Sequence, residues 1–144
     1  ITPGYLLGLT QSIADNRYVN VDGDTMTGNL TVQGFISQEH SAFASVSATT
    51  ATISATQIWS FDATTYNSAE VIITATQGIN RHITKLLIVH NGSTASATEF
   101  GTIYTNTSLA NFDVGLSGGN VTLSSTPANG TTIEYKIAAT LIID

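Results

Sequence analysis

The chain has 144 residues, with four Lys and Arg against ten Asp and Glu, for a net charge of −6. So sparse and acidic a set of charges argues against nucleic-acid backbones, which need clustered cations, and weakly against anionic membrane surfaces. There are no cysteines, so disulfides and thiolate metal sites are excluded and stability has to come from a core or from association. No apolar run is long enough for a membrane-spanning helix, and no basic stretch followed by an apolar core marks a secretion signal. A start at Ile1 fits a processed product or the ordered part of something longer. Thr, Ser, Ala, Gly and Asn dominate, and good helix formers are scarce at surface positions. This composition predicts a mostly-β protein whose turns come from Asn and Gly.

Residues 1–28 read as irregular, with room for a helical turn between Leu6 and Asn16 and no amphipathic stripe. Asp22-Gly23-Asp24 opens like a calcium loop. Counting from Asp22, however, the sixth and twelfth positions are Thr27 and Gln33, where an EF-hand needs Gly and Glu. A turn with both carboxylates on local amides is the simpler reading.

Residues 29–58 are poor in bulky apolar side chains, and Ser41 to Gln57 is close to low complexity. Two outcomes are open. The segment buries too little to offset its ordering entropy and is a linker, or it is ordered only by wrapping around two identical copies as a slender shaft. Val46 and Ile53 are a heptad apart, but Thr50 and Gln57 occupy the partner positions, so short β segments around a threefold axis suit the composition better than a coiled coil. The expected axial contacts are Leu30, Val32, Phe35, Phe43, Val46 and Ile53, each isolated among small polar residues.

Residues 59–144 read as a separate β domain. Glu70–Thr76 predicts a strand, and Arg81–His90 a second, apolar enough to be buried on both faces. Asn91-Gly92 breaks it and opens a polar loop to about Ala97. Glu99–Thr105 is a third strand. Asn111–Leu116 and Asn120–Ser124 flank Ser117-Gly118-Gly119 as a tight hairpin. After the turn Thr126–Gly130 comes the clearest strand, Thr131–Ile143. Its odd positions from Ile133 to Ile143 are apolar, while Thr132, Glu134 and Lys136 are polar. Short turn-bounded strands without helices between them predict an antiparallel β-sandwich, jelly-roll-like in class.

Little in the chain carries reaction chemistry. Gly115-Leu116-Ser117-Gly118-Gly119 matches G-x-S-x-G formally, but a nucleophile elbow needs a helix after the serine and here a strand follows. His82 and His90 are eight residues apart on one strand, about 26 Å, too far to share a metal ion. His40 in the shaft is the one histidine that a threefold axis could gather, against the ordinary reading of an exposed side chain. Trp59, Phe61 and Tyr66 cluster at the start of the β domain and form the candidate ligand surface for sugar stacking, against the ordinary reading of core or interface. No close carboxylate pair suggests glycoside hydrolysis, and no nucleotide-binding pattern occurs. Asn-x-Ser/Thr sites such as Asn106-Thr107-Ser108 are expected by chance in so Thr-rich a chain. The expectation is of no catalysis, no cofactor and no metal.

The run Ala14-Asp15-Asn16-Arg17-Tyr18, followed by Gly23-Asp24-Thr25-Met26-Thr27-Gly28 and on to Val32, resembles a segment that recurs in phage tail-fibre and related virion appendage proteins. From Trp59 onward the chain is similar in texture, not in motif, to small C-terminal modules of phage virion proteins, including those of phages that infect marine cyanobacteria. The resemblance implies a homotrimer located in the virion. Residues 1–28 would attach it to other virion proteins, 29–58 would form the shaft, and 59–144 would be a head meeting a host glycan or protein. The other reading is a decoration or adaptor at the head, neck or baseplate that touches only virion proteins.

Overall fold

The structure, a computed structural model, describes residues 27–144. The chain divides into two compact units, Ile1–Thr31 and Val32–Asp144. The segment from Ala14 to Met26, the Asp22-Gly23-Asp24 turn and the helical turn expected near Leu6 lie outside the described residues.

The second unit is built from β1 (Ile36–Ser37), β2 (Ser41–Thr50), β3 (Thr56–Asp62), β4 (Tyr66–Gln77), β5 (Asn80–His90), β6 (Ala95–Tyr104), β7 (Ala110–Ser117), β8 (Asn120–Pro127) and β9 (Ile133–Ile143). All pairings are antiparallel. One sheet has the order β1-β2-β9-β4-β5-β6 and the other β3-β8-β7. The expected antiparallel class is the observed one. The strands divide six and three, unlike the eight of a jelly roll.

Period two decides which side chains meet between the sheets. On β9, Ile133, Tyr135, Ile137, Ala139 and Leu141 are buried. Beside them lie Val71 and Ile73 of β4, Leu86 and Ile88 of β5, and Val121 and Leu123 of β8. Each such aliphatic side chain contributes about 1.5–3 kcal/mol by leaving water.

The boundary expected at residue 59 does not exist in this fold. β2 pairs with β9 from Ser41↔Ile142 to Thr50↔Ile133, which makes it an inner strand of the large sheet. Ala42 and Ala44 face the core, buried to 0% and 6% exposure, followed by Val46, Ala48 and Thr50 on the same face. The segment looks like low complexity because its core-facing positions hold small residues. The Ser/Ala alternation is nevertheless a strand period. Val46 packs against the core, which corrects its place among the axial contacts. Phe43 is on the opposite face of the strand, 41% exposed, and Leu30, Val32, Phe35 and Ile53 are exposed too. Phe35 stacks on Tyr66 at 6.3 Å between ring centroids.

Turn chemistry follows the sequence. Gln77↔Asn80 closes around Gly78-Ile79 with φ +60° at Gly78, and Ser117↔Asn120 closes around Gly118-Gly119 with φ of +59° and +81°. Two consecutive left-handed residues are what a tight β7–β8 hairpin requires, so the glycines of the G-x-S-x-G match serve the turn. Asn91 Oδ1 accepts from the backbone N–H groups of Ser93 and Thr94, closing the β5–β6 loop three residues earlier than the sequence suggests.

One polar network crosses the core. The Tyr135 hydroxyl on β9 lies 3.0 Å from Thr50 Oγ1 on β2 and 2.9 Å from Ser125 Oγ on β8, all three buried. It therefore links the large sheet to the small one. Tyr135→Phe removes both contacts and leaves two buried hydroxyls without that partner. The expected loss is about 1–3 kcal/mol, read as a lower midpoint in urea unfolding.

Candidate functional site

The feature that stands out is the outer face of the six-stranded sheet. On β5, His82, Thr84, Leu86 and Ile88 point inward. Period two then turns Ile83, Leu87 and Val89 outward, where they are 42%, 47% and 56% exposed. The expectation that this strand is buried on both faces is corrected: the chain covers only one. The register lines these residues up with others of the same kind. Ile142 and Val89 flank Ser68 in one row, and Phe43, Thr140, Glu70 and Leu87 lie across the next. Ile72 stands beside Lys85 and Ala138 in a third.

A concavity of about 710 Å³ lies on this face, lined by the apolar Leu87, Val89 and Ile142 together with Ser68, Ser96, Thr98 and Thr140. A smaller one of about 180 Å³ adjoins it between Phe43 and Ile72. At the centre Lys85 Nζ donates to Glu70 Oε1, so the two charges neutralise each other.

Charge is segregated. Arg81, Lys85 and Lys136, the cations among the described residues, all occupy outward positions of this sheet, with Glu70 and Glu134 as the acids there. Of the remaining described carboxylates, Asp62 is on the small sheet, Glu99 and Asp113 line the β6–β7 side, Glu39 stands beside His40, and Asp144 follows Ile143 at the end of β9, with no Lys or Arg among them.

The candidate ligand surface is mostly interior. Trp59 and Phe61 are 8% and 4% exposed, and only Tyr66 is partly open. A register shift between Gln57 and Trp59 lets both Ile58 and Trp59 turn into the core, where Trp59 packs on Phe61 at 5.4 Å between centroids. These rings belong to the ordinary reading, a core. His40 is exposed beside Glu39, and His90 is held locally, with Nε2 at 2.7 Å from the Tyr66 carbonyl. Among the described residues no three His, Asp or Glu side chains gather to hold a metal ion.

Two arrangements were not visible in the sequence. Glu99 and Asp113, fourteen residues apart, line one cleft of about 320 Å³ between β6 and β7. The other is His82, 2% exposed and wedged between Tyr104 and Phe112. Its Nδ1 accepts from the Leu109 backbone N–H at 3.2 Å, so the proton of the neutral ring sits on Nε2, which is buried without a partner. Burial pushes its pKa below the ordinary 6.5, with the Glu99 carboxylate opposing that shift weakly.

No family model and no curated protein matches this chain. Among solved structures it is similar to the tailspike protein of Acinetobacter baumannii phage AM24, at 10% identity and a TM-score of 0.49, covering 72% of this chain and 26% of that one. It is also similar to the tailspike of Acinetobacter phage vB_ApiP_P1, at 13% identity and a TM-score of 0.43, covering 83% and 26%. A third is the tailspike of Acinetobacter baumannii bacteriophage Fri1, described as a capsular polysaccharide depolymerase, at 11% identity and a TM-score of 0.43, covering 74% and 19%. The chain thus spans about a quarter or less of the length of these tailspikes.

Two outcomes follow from the buried rings. Trp59→Ala removes a core side chain and is expected to cost about 3–5 kcal/mol in denaturant unfolding, a cavity effect rather than a binding one. For His82, the unfolded chain takes up a proton as pH falls past about 6.5 while the folded chain stays neutral to lower pH. The stability that neutral His82 supports is thus complete above that pH and declines below it. A series of unfolding curves from pH 7 to pH 5 should show this decline, shallower in His82→Gln.

Proposed function

We propose that this chain is a structural unit of a phage tail appendage that assembles as a homotrimer and contributes to host attachment. The observation that carries the reading is positional. The segment resembling those of virion appendage proteins, Ala14 to Val32, runs directly into a compact antiparallel β unit that begins at Val32. The acidic, cysteine-free surface and the open apolar sheet face support binding as the mode of action. In this reading the N-terminal segment meets other virion proteins, the β unit is the exposed body, and many weak contacts on three copies add up through multivalency.

A second reading is favoured by the burial of Trp59 and Phe61, which removes the aromatic surface a sugar would stack on. In it the chain is a decoration or adaptor that touches only virion proteins. Both readings keep the protein in the particle.

Two measurements test this. Light scattering on the whole chain should return three times the 15.1 kDa chain mass. A single-chain mass would remove the homotrimer. A glycan array probed with the whole chain separates the two readings: reproducible sugar binding supports attachment, and a blank array on a trimeric sample supports the adaptor.

A further inference from the structure

We infer that the outer face of the six-stranded sheet is the surface on which neighbouring copies of this chain meet. The inference rests on the homotrimer reading and assigns its interface.

Three observations converge on this face. The first is the strand β5, whose residues from Ile83 to Val89 are dense enough in apolar side chains for burial on both faces, while the chain covers one. The second is contiguity. Ile72, Leu87, Val89 and Ile142 are exposed between 37% and 56%, and the strand register gathers them in neighbouring rows of one face, with Ser68 between Val89 and Ile142. Scattered exposed aliphatics are ordinary, but a contiguous set around a concavity is not. The concavity of about 710 Å³ is lined by three of these residues and can receive side chains from a facing surface.

The third observation selects a second copy as the occupant. A chain of net charge −6 repels itself wherever its uncompensated carboxylates face each other. Glu39, Asp62, Glu99 and Asp113 stand on the other described surfaces without a Lys or Arg among them. On the strands of the outer sheet face, three cations accompany Glu70 and Glu134, with Asp144 at the end of β9, and the central Glu70–Lys85 pair is already neutralised. This is the described face on which copies approach without that penalty. Lys136 and Glu134 lie at one end of it and can pair between chains, while the apolar lining occupies the other end. In a cyclic trimer each copy presents one part of such a face to a different part of its neighbour's, so the polar and apolar ends set the register.

The experiment is sedimentation velocity and native mass measurement on the whole chain and on Leu87→Asp, Val89→Lys and Asn111→Asp. Leu87 and Val89 point outward, so their replacement leaves the core untouched, and melting curves check that each variant folds. Asn111 is exposed on β7, away from this sheet, and serves as the control. The expected result is a trimeric wild type, a trimeric Asn111→Asp, and folded Leu87→Asp and Val89→Lys shifted to single chains, with dissociation constants raised at least a hundredfold. If both variants fold and remain trimeric, the interface lies elsewhere and the trimer stands. If the wild type is itself a single chain, the trimer reading and the assigned interface both fail, and the face is left for an unlike partner. Should one of the two variants not fold, the other decides.

Discussion

The two-residue period of β9 constrains everything around it. This strand lies between β2 and β4, so its odd residues from Ile133 to Leu141 are committed to the core and the even ones to the outer surface. Hydrogen bonding carries that alternation to both neighbours: Ala44 opposes Ala139, which opposes Val71. A slip of one residue would exchange the core set for Glu134, Lys136 and Thr140, which no packing could repay. The outer face is therefore the remainder left when the core has taken its half of each strand, and its apolar content is not an accident of folding. Leu87 and Val89 could have been Thr or Lys without changing the core.

The two sheets are held by apolar packing and joined by a buried polar network. Tyr135 supplies one hydroxyl to Thr50 within its own sheet and to Ser125 in the other. A buried hydroxyl network tolerates few alternatives, because each mispaired arrangement strands a polar group away from water. Aromatic rings continue the contact, from Tyr135 to Phe112 and on to His82. At that end the sandwich is less covered. β6 is exposed along nearly all its length, and a bulge at Gly101, with φ +67°, interrupts its ladder with β5. Such a bulge bends an edge strand and blunts its capacity to recruit another.

Much of the fold was legible in residue order. The alternation of Ile133 to Ile143, the glycine pair at 118 and 119, and the break at Asn91-Gly92 each carry a local physical reason, and each stands where it was expected. The segment from Ser41 to Thr50 was misread because hydrophobic bulk was taken as the sign of a core strand. Alanine at 42 and 44 buries little area per residue, yet suffices where β9 and β4 bring larger groups. For the aromatic cluster the ordinary reading, a core, is the one the fold adopts for Trp59 and Phe61. Whether Trp59 faces sugar or core depends on the register shift beside Gln57, which no local preference encodes.

By itself the sequence determined the class of the protein: antiparallel β, without thiol chemistry, and acidic. These follow from composition and period, which are properties of neighbours along the chain. Only the tertiary structure decided which residues share a surface. It drew β2 into the large sheet, sent Trp59 and Phe61 inward, brought Glu99 to Asp113, and left Leu87, Val89 and Ile142 together in the open. The physical reason is that a strand's pleat assigns each side chain to one of two faces, but which face becomes core depends on partners tens of residues away.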